Sequence, residues 1–174
     1  EQITEIKEST FENCIYLSGI TLPNSIQSIG ENAFKGCSSS LFTEINIPSS
    51  VSSIDQTAFD LMTSLEHIYV SSLNDNYCDY QGSLYLKEKD DNDNEIMRNL
   101  LRVPEGKTGT VEFSKDLVTI DKHALYKCSK IEKYQISEDS LNYYTSPTLG
   151  YLYNKSIDTL LSVPQGNSNT VRFE

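Results

Sequence analysis

The chain has 174 residues, enough for one domain with a buried core, and its 37% hydrophobic content argues against disorder. Twenty-five acidic against 14 basic residues give a formal net charge of -11, which disfavours nucleic acid because a polyanion is repelled from such a surface. No run approaches the roughly 20 apolar residues of a membrane span, and Glu1-Gln2-Ile3 lacks the basic and apolar stretches of a secretion signal, so a mature or excised piece is expected.

The chain opens on Ile3-x-x-Ile6-x-x-x-x-Phe11-x-x-Cys14. A fuller version follows as Leu17-x-x-Ile20-x-Leu22-Pro23-x-x-Ile26-x-x-Ile29-Gly30-x-x-Ala33-Phe34-x-x-Cys37. It returns at an offset of 25 as Ile45-x-Ile47-Pro48-x-x-Val51-x-x-Ile54-Asp55-x-x-Ala58-Phe59-x-x-Met62. The first two copies are offset by 23, so the basic period is about 23 residues, with two inserted near Ser38 to Ser40. A further copy runs from Val111-x-Phe113 through Leu117, Ile120, Ala124, Leu125 and Cys128 to Ile131, Tyr134 and Ile136.

Between these copies lies a second kind of unit. Gly82-Ser-Leu84-Tyr85-Leu-Lys87, Leu100-Leu101-Arg-Val103-Pro104-Glu-Gly106 and Thr110-Val111-Glu-Phe113 recur as Gly150-Tyr-Leu152-Tyr153-Asn-Lys155, Leu160-Leu161-Ser-Val163-Pro164-Gln-Gly166 and Thr170-Val171-Arg-Phe173. The alternation predicts a β-hairpin. Its tip is Lys155 to Thr159 in the second copy and is lengthened in the first by Glu88 to Glu95, a disordered, solvated insertion that costs little loop entropy.

One coil of this kind cannot bury its own apolar edge, so copies must stack into a shared core. Leu-x-x-Ile-x-Ile alternates at its end and predicts a short strand that pairs in parallel with its copy one coil away. Val-x-x-Ile-Gly predicts a second short extended segment, and Glu31 to Cys37 one tight turn of helix closed by Gly36. Phe11, Phe34 and Phe59 are expected to form an aromatic column, and Cys14, Cys37 and Cys128, at one repeat position, to be buried free thiols rather than bridges. The expected fold is a β-rich leucine-rich-repeat solenoid interrupted by two β-hairpin units: repeat coils over 1–73, a hairpin unit over 74–110, a coil over 111–137, and a hairpin unit with the start of the next coil over 138–174. Neither end reads as a polar cap, so flanking coils are expected.

These residues resemble the BspA-like leucine-rich-repeat family of surface proteins from anaerobic bacteria and some parasitic protists. The most specific matches are Ile47-Pro48-Ser49-Ser50-Val51-Ser52-Ser53-Ile54, Ile29 to Cys37, and Gly150 to Lys155 with Val163-Pro164. The resemblance implies an extracellular or cell-surface protein whose relatives include adhesins for host or matrix proteins. Met62 and Leu125 depart from the pattern as conservative core fillings, and the long acidic tip departs from it as an insertion.

No Gly-x-Ser-x-Gly or His-Glu-x-x-His motif is present, and His67 and His123 read as surface residues. Cys78 stands outside the repeat pattern, and a hydrolase using Cys78 and His67 is the enzymatic alternative. Asp90-Asp91-Asn92-Asp93-Asn94-Glu95 has oxygen-bearing side chains, yet Glu95 stands where a calcium loop needs glycine and Leu101 where it needs glutamate. No cofactor or metal is expected. If the apolar residues of each strand point inward, Thr21, Asn46, Tyr69, Glu112, Gln135 and Arg172 point out, one per coil and about 4.8 Å apart. Such a row suits a protein partner, with Tyr69 as anchor, and the resemblance implies that the partners are extracellular or host proteins of matrix or plasma type. Tyrosine-rich hairpins leave carbohydrate as a further ligand class, and a passive stalk is the structural alternative.

Overall fold

The computed structural model describes residues 2–166. In chain order, β1 (Glu5–Ile6), β2 (Ser28–Ile29), β3 (Glu44–Ile47), β4 (Ser53–Ile54) and β5 (His67–Val70) are the strands of the first coils. They pair in parallel between coils. Ile6 stands opposite Ile29, and Ile29 opposite Ile54, in a β1-β2-β4 sheet. β3 pairs with β5, with Ile45 opposite Ile68 and Asn46 opposite Tyr69. Alternation in β3 buries Ile45 and Ile47 and exposes Glu44 and Asn46, the two-faced pattern read from the sequence. No strand forms over 17–22, although Leu22 is buried, because 18–22 makes no backbone hydrogen bond to the next coil.

The expected helical turn over Glu31 to Cys37 is instead a run of tight turns, and no helix occurs among the described residues. A helix directs each N–H to the carbonyl four residues back. Here alternate N–H groups leave the coil: Phe34 donates to the Ala58 carbonyl (2.8 Å) and Gly36 to the Asp60 carbonyl (2.9 Å). One coil earlier, Phe11 donates to Ala33 (2.8 Å) and Asn13 to Lys35 (2.7 Å). Left-handed backbone at one recurring position, Asn13 (58°), Gly36 (74°), Leu61 (59°) and Lys127 (53°), keeps the segment from continuing as a helix.

Inside this ladder the predicted aromatic column forms. Phe34 is fully buried and stacks on Phe11 at 5.2 Å and Phe59 at 5.9 Å, with interplanar angles of 8° and 11°. The Cys37 thiol donates to the Phe11 carbonyl at 3.0 Å, and burial pushes its pKa up to about 11. All four cysteines are free, Cys37 and Cys128 buried as expected. Cys14 is exposed instead, because it lies on the outermost described coil and nothing among the described residues covers that side.

Downstream run β6 (Tyr77–Tyr80), β7 (Ser83–Lys89), β8 (Glu95–Arg102), β9 (Gly109–Glu112), β10 (Thr119–Ile120), β11 (Ile131–Gln135), β12 (Tyr143–Thr145), β13 (Leu152–Asn154) and β14 (Leu160–Ser162). Each hairpin unit is a three-stranded antiparallel meander, β6-β7-β8 or β12-β13-β14, one strand more than the sequence predicts. The end of β8 rejoins the stack: Asn99 and Leu100 pair in parallel with Thr119 and Ile120 as β2 pairs with β4, so the first unit is a coil with a hairpin grown from its side. Its tip is ordered. The Asp90 carboxylate accepts the Asn92 and Asn94 backbone N–H groups, both at 2.9 Å, and thereby closes the turn.

Two polar staples dock the first hairpin unit. The Asn74 side chain is fully buried and donates to the Pro48 and Val51 carbonyls while accepting the N–H groups of Asn76 and Tyr77. Its hydrogen-bonding capacity is filled. Arg102 is also buried, reaching Asp60 at 2.6 Å, Glu105 at 2.8 Å and the carbonyls of Phe59 and His123, both at 3.2 Å. Glu105 in turn accepts the N–H of Leu61 at 2.8 Å. This cluster ties the hairpin unit to the coils on either side of it.

Two stability measurements test this architecture. Phe34→Ala should cost about 3 to 5 kcal/mol by urea unfolding, and a loss within about 0.5 kcal/mol would refute stacking. Burial raises the Glu105 carboxyl pKa, so its contribution to stability is present below the unfolded value and lost as pH rises through the folded one. On going from about pH 7 to about pH 4, the wild type should therefore gain stability relative to Glu105→Gln. Movement of that difference in the other direction would mean that the site favours the carboxylate.

Candidate functional site

The outward-pointing residues of the parallel strands form the candidate face. Asn46 and Tyr69 are register partners on β3 and β5, and Glu112 and Gln135 on β9 and β11. All four are exposed. The single row expected from the sequence is broken between Tyr69 and Glu112, because β5 and β9 do not pair. The Gln81-Gly82 turn sits beside β5 instead, where Ile68 donates to the Gly82 carbonyl at 2.9 Å. Gly82 has a φ of +74°, and a Cβ there would stand 2.5 Å from His67 Nδ1, so only glycine fits this close approach. Thr21 is exposed but belongs to no strand, and Arg172 lies outside the described residues.

The break shapes the face. His67 stacks on Tyr69 with ring centroids 5.3 Å apart and planes 7° from parallel. Beyond this aromatic pair lies a concavity of about 310 Å³ lined by Glu66, His67, Gln81, Lys107, Thr110 and Glu112, among others. The Lys107 amine is turned inward to the Gln81 carbonyl, and burial lowers its pKa. On the far side of Glu112 a larger groove of about 580 Å³ runs between the hairpin and the coil, with Tyr80, Met97, Phe113, Glu95, Asp116 and Gln135 in its lining. Glu112 thus stands on the wall shared by both hollows. The hairpin residues Tyr80, Glu95 and Met97 were not legible as site residues, since nothing in the periodic pattern says which way a hairpin leans.

The parallel strand pairs, the buried phenylalanine column and the two hairpin units give the repeat read from the residues its counterpart in the fold. A BspA-type leucine-rich-repeat model matches residues 1–82 and 106–161 in six copies. The chain belongs to the BspA-type leucine-rich-repeat family. This BspA-type chain is similar to a leucine-rich cell surface protein from Faecalibacterium prausnitzii, at 25% identity and a TM-score of 0.61, over 81% of this chain and 35% of the other. It also shares its fold with the pneumococcal vaccine antigen PcpA, at 23% identity and a TM-score of 0.58, over 80% of this chain and 38% of that one. The BspA-type segment therefore spans little more than a third of either solved chain. No curated relative matches the sequence.

The hydrolase alternative is poorly served by the geometry of this BspA-type chain. Burial, reinforced by the Glu95 carboxylate, pushes the Cys78 pKa up to about 11, away from the thiolate a nucleophile requires. Its thiol faces the Leu86 carbonyl at 3.8 Å. His67 is taken up by its stack on Tyr69. Among the described residues, no cluster of three metal-binding side chains occurs. Alkylation by iodoacetamide near pH 7.5, read by peptide mass mapping, should modify exposed Cys14 well before Cys78. Preferential labelling of Cys78 would revive the nucleophile.

Proposed function

We propose that this chain is a cell-surface or secreted recognition module, adhesin-like in engaging extracellular host, matrix or plasma proteins, and that it works without catalysis or a cofactor. The observation that carries the reading is the exposed strand face, on which Asn46 and Tyr69 lie side by side, as do Glu112 and Gln135, flanked by concave surface. Solenoids present such laterally repeated faces to protein partners. Tyrosine offers large contact area and a hydroxyl at low entropic cost, and Tyr69 is 38% exposed with its ring held by His67. Membership of the BspA-type family and the likeness to a leucine-rich cell surface protein support the location. The negative charge supports a protein rather than a nucleic acid partner. No helix of the described residues is long and apolar enough to cross a membrane.

The test is a binding screen of the chain against extracellular matrix and plasma proteins, with a Tyr69→Ala, Gln135→Ala double variant alongside. Saturable binding weakened by about tenfold or more, about 1.4 kcal/mol, places the partner on this face. Absence of binding at micromolar concentrations favours a passive stalk or a site elsewhere in the parent chain, and binding unchanged in the variant moves the site off this face.

A further inference from the structure

We propose that the groove between the first hairpin and the coil beneath it receives an extended, arginine-bearing segment of a partner protein, with one guanidinium seated on Glu112. The inference rests on the reading above that the outward face binds protein, and it names the chemistry of the partner. Several observations converge on it.

The groove is large, about 580 Å³, which suits a few side chains of an extended segment rather than a single ion. Its lining is amphipathic: Tyr80, Met97 and Phe113 contribute apolar surface, while Glu95, Glu112 and Asp116 contribute three carboxylates against the single cation of Lys115. Those carboxylates are not equivalent. Glu95 is paired with Lys87 at 2.5 Å and Asp116 with Lys115 at 2.8 Å, whereas Glu112 has no ion pair or hydrogen bond from its side chain among the described residues. Glu112 thus has its full accepting capacity toward an incoming donor.

The neighbour of Glu112 fits the same donor. Gln135 is its register partner on β11, which puts the two side chains about 5 Å apart at their Cβ atoms. A carboxylate beside an amide carbonyl offers acceptors to a planar guanidinium, whose fixed fork can engage both while an ammonium acts as a point charge. The second hollow, on the other side of Glu112, adds Glu66 and repeats the bias. Its only lysine, Lys107, is turned away to the Gln81 carbonyl. The net charge of -11 draws a cationic partner toward the face from a distance.

Fluorescence anisotropy tests this, with the chain titrated into a labelled eight-residue peptide alternating arginine and threonine and into its citrulline counterpart, in which the charge is removed. The arginine peptide should bind saturably, more weakly as salt rises, and the citrulline peptide about tenfold or more worse. Glu112→Gln should weaken the arginine peptide by a similar factor, while Glu31→Gln, an equal change of net charge on the exposed turn side, should leave affinity within about twofold. Equal weakening by Glu31→Gln would reduce the effect to diffuse charge and overturn the proposal, as would absence of saturable binding up to about millimolar peptide. Matrix or plasma protein binding that is lost in the Tyr69 and Gln135 double variant, without arginine-peptide binding, leaves the recognition face standing and removes only this inference. Failure of both removes both.

Discussion

Alternate backbone N–H groups on each coil point along the stack, and the fold depends on their meeting carbonyls of the next coil. This holds on the strand side, where β3 pairs with β5 and β9 with β11, and equally on the turn side, where Phe34 donates to Ala58 and Gly36 to Asp60. A buried N–H without a partner costs on the order of 1 to 3 kcal/mol, so the spacing of the coils is dictated by hydrogen bonding and the apolar side chains must fill whatever space it leaves. The phenylalanine column is the consequence. Rings one coil apart in a backbone-bonded stack are brought to within 5.2 to 5.9 Å, the distance at which they pack face to face with offset.

The same requirement explains how hairpins are accommodated. A hairpin grown from a coil threatens the ladder on both sides, and polar side chains take over where backbone is missing. The Tyr77 hydroxyl accepts the N–H of Ile54 at 2.9 Å, and Asp79 accepts that of Val70 at 2.8 Å. Asn142 and Tyr143 make related bonds to the Leu117 and Val118 carbonyls in the second unit. The buried Arg102 cluster belongs to the first unit alone, since Ser162 and Gln165 stand at the matching positions of the second. Burying three charged groups is unfavourable unless each is paired, which is why Arg102 meets both carboxylates and two carbonyls at once.

The relief of the outer face follows from the same interruption. Where β5 and β9 fail to pair, the strand face splits into two laterally paired segments with a hollow between them, and the leaning hairpin walls off a second hollow beyond Glu112. An unbroken solenoid face would be flat and repetitive. This one has relief, and with relief come distinct environments for residues that share one repeat position: Tyr69 braced by His67, and Glu112 unpaired between two concavities.

The sequence by itself determined the period, the stack and the contents of the core. Ile29, Phe34, Ala58, Met62 and Cys128 recur at fixed spacing, and a residue that must be buried in every coil leaves its mark in every copy. It also marked Asn46, Tyr69, Glu112 and Gln135 as outward residues of the strands that form, because side chains alternate along a strand and the apolar set takes the inner face. What only the tertiary structure decided were the features without a period. Tight turns replaced the expected helix because the N–H groups found partners in another coil, a preference that no local window contains. Cys14 was left exposed by its place at the edge of the described stack rather than by its place in the repeat. The Arg102 cluster joins residues 42 positions apart in the chain, and the groove joins a hairpin to coils whose relation is set by packing. Periodic burial is written into sequence because each coil repeats the same physical problem, whereas relief on the surface arises where the repetition is broken.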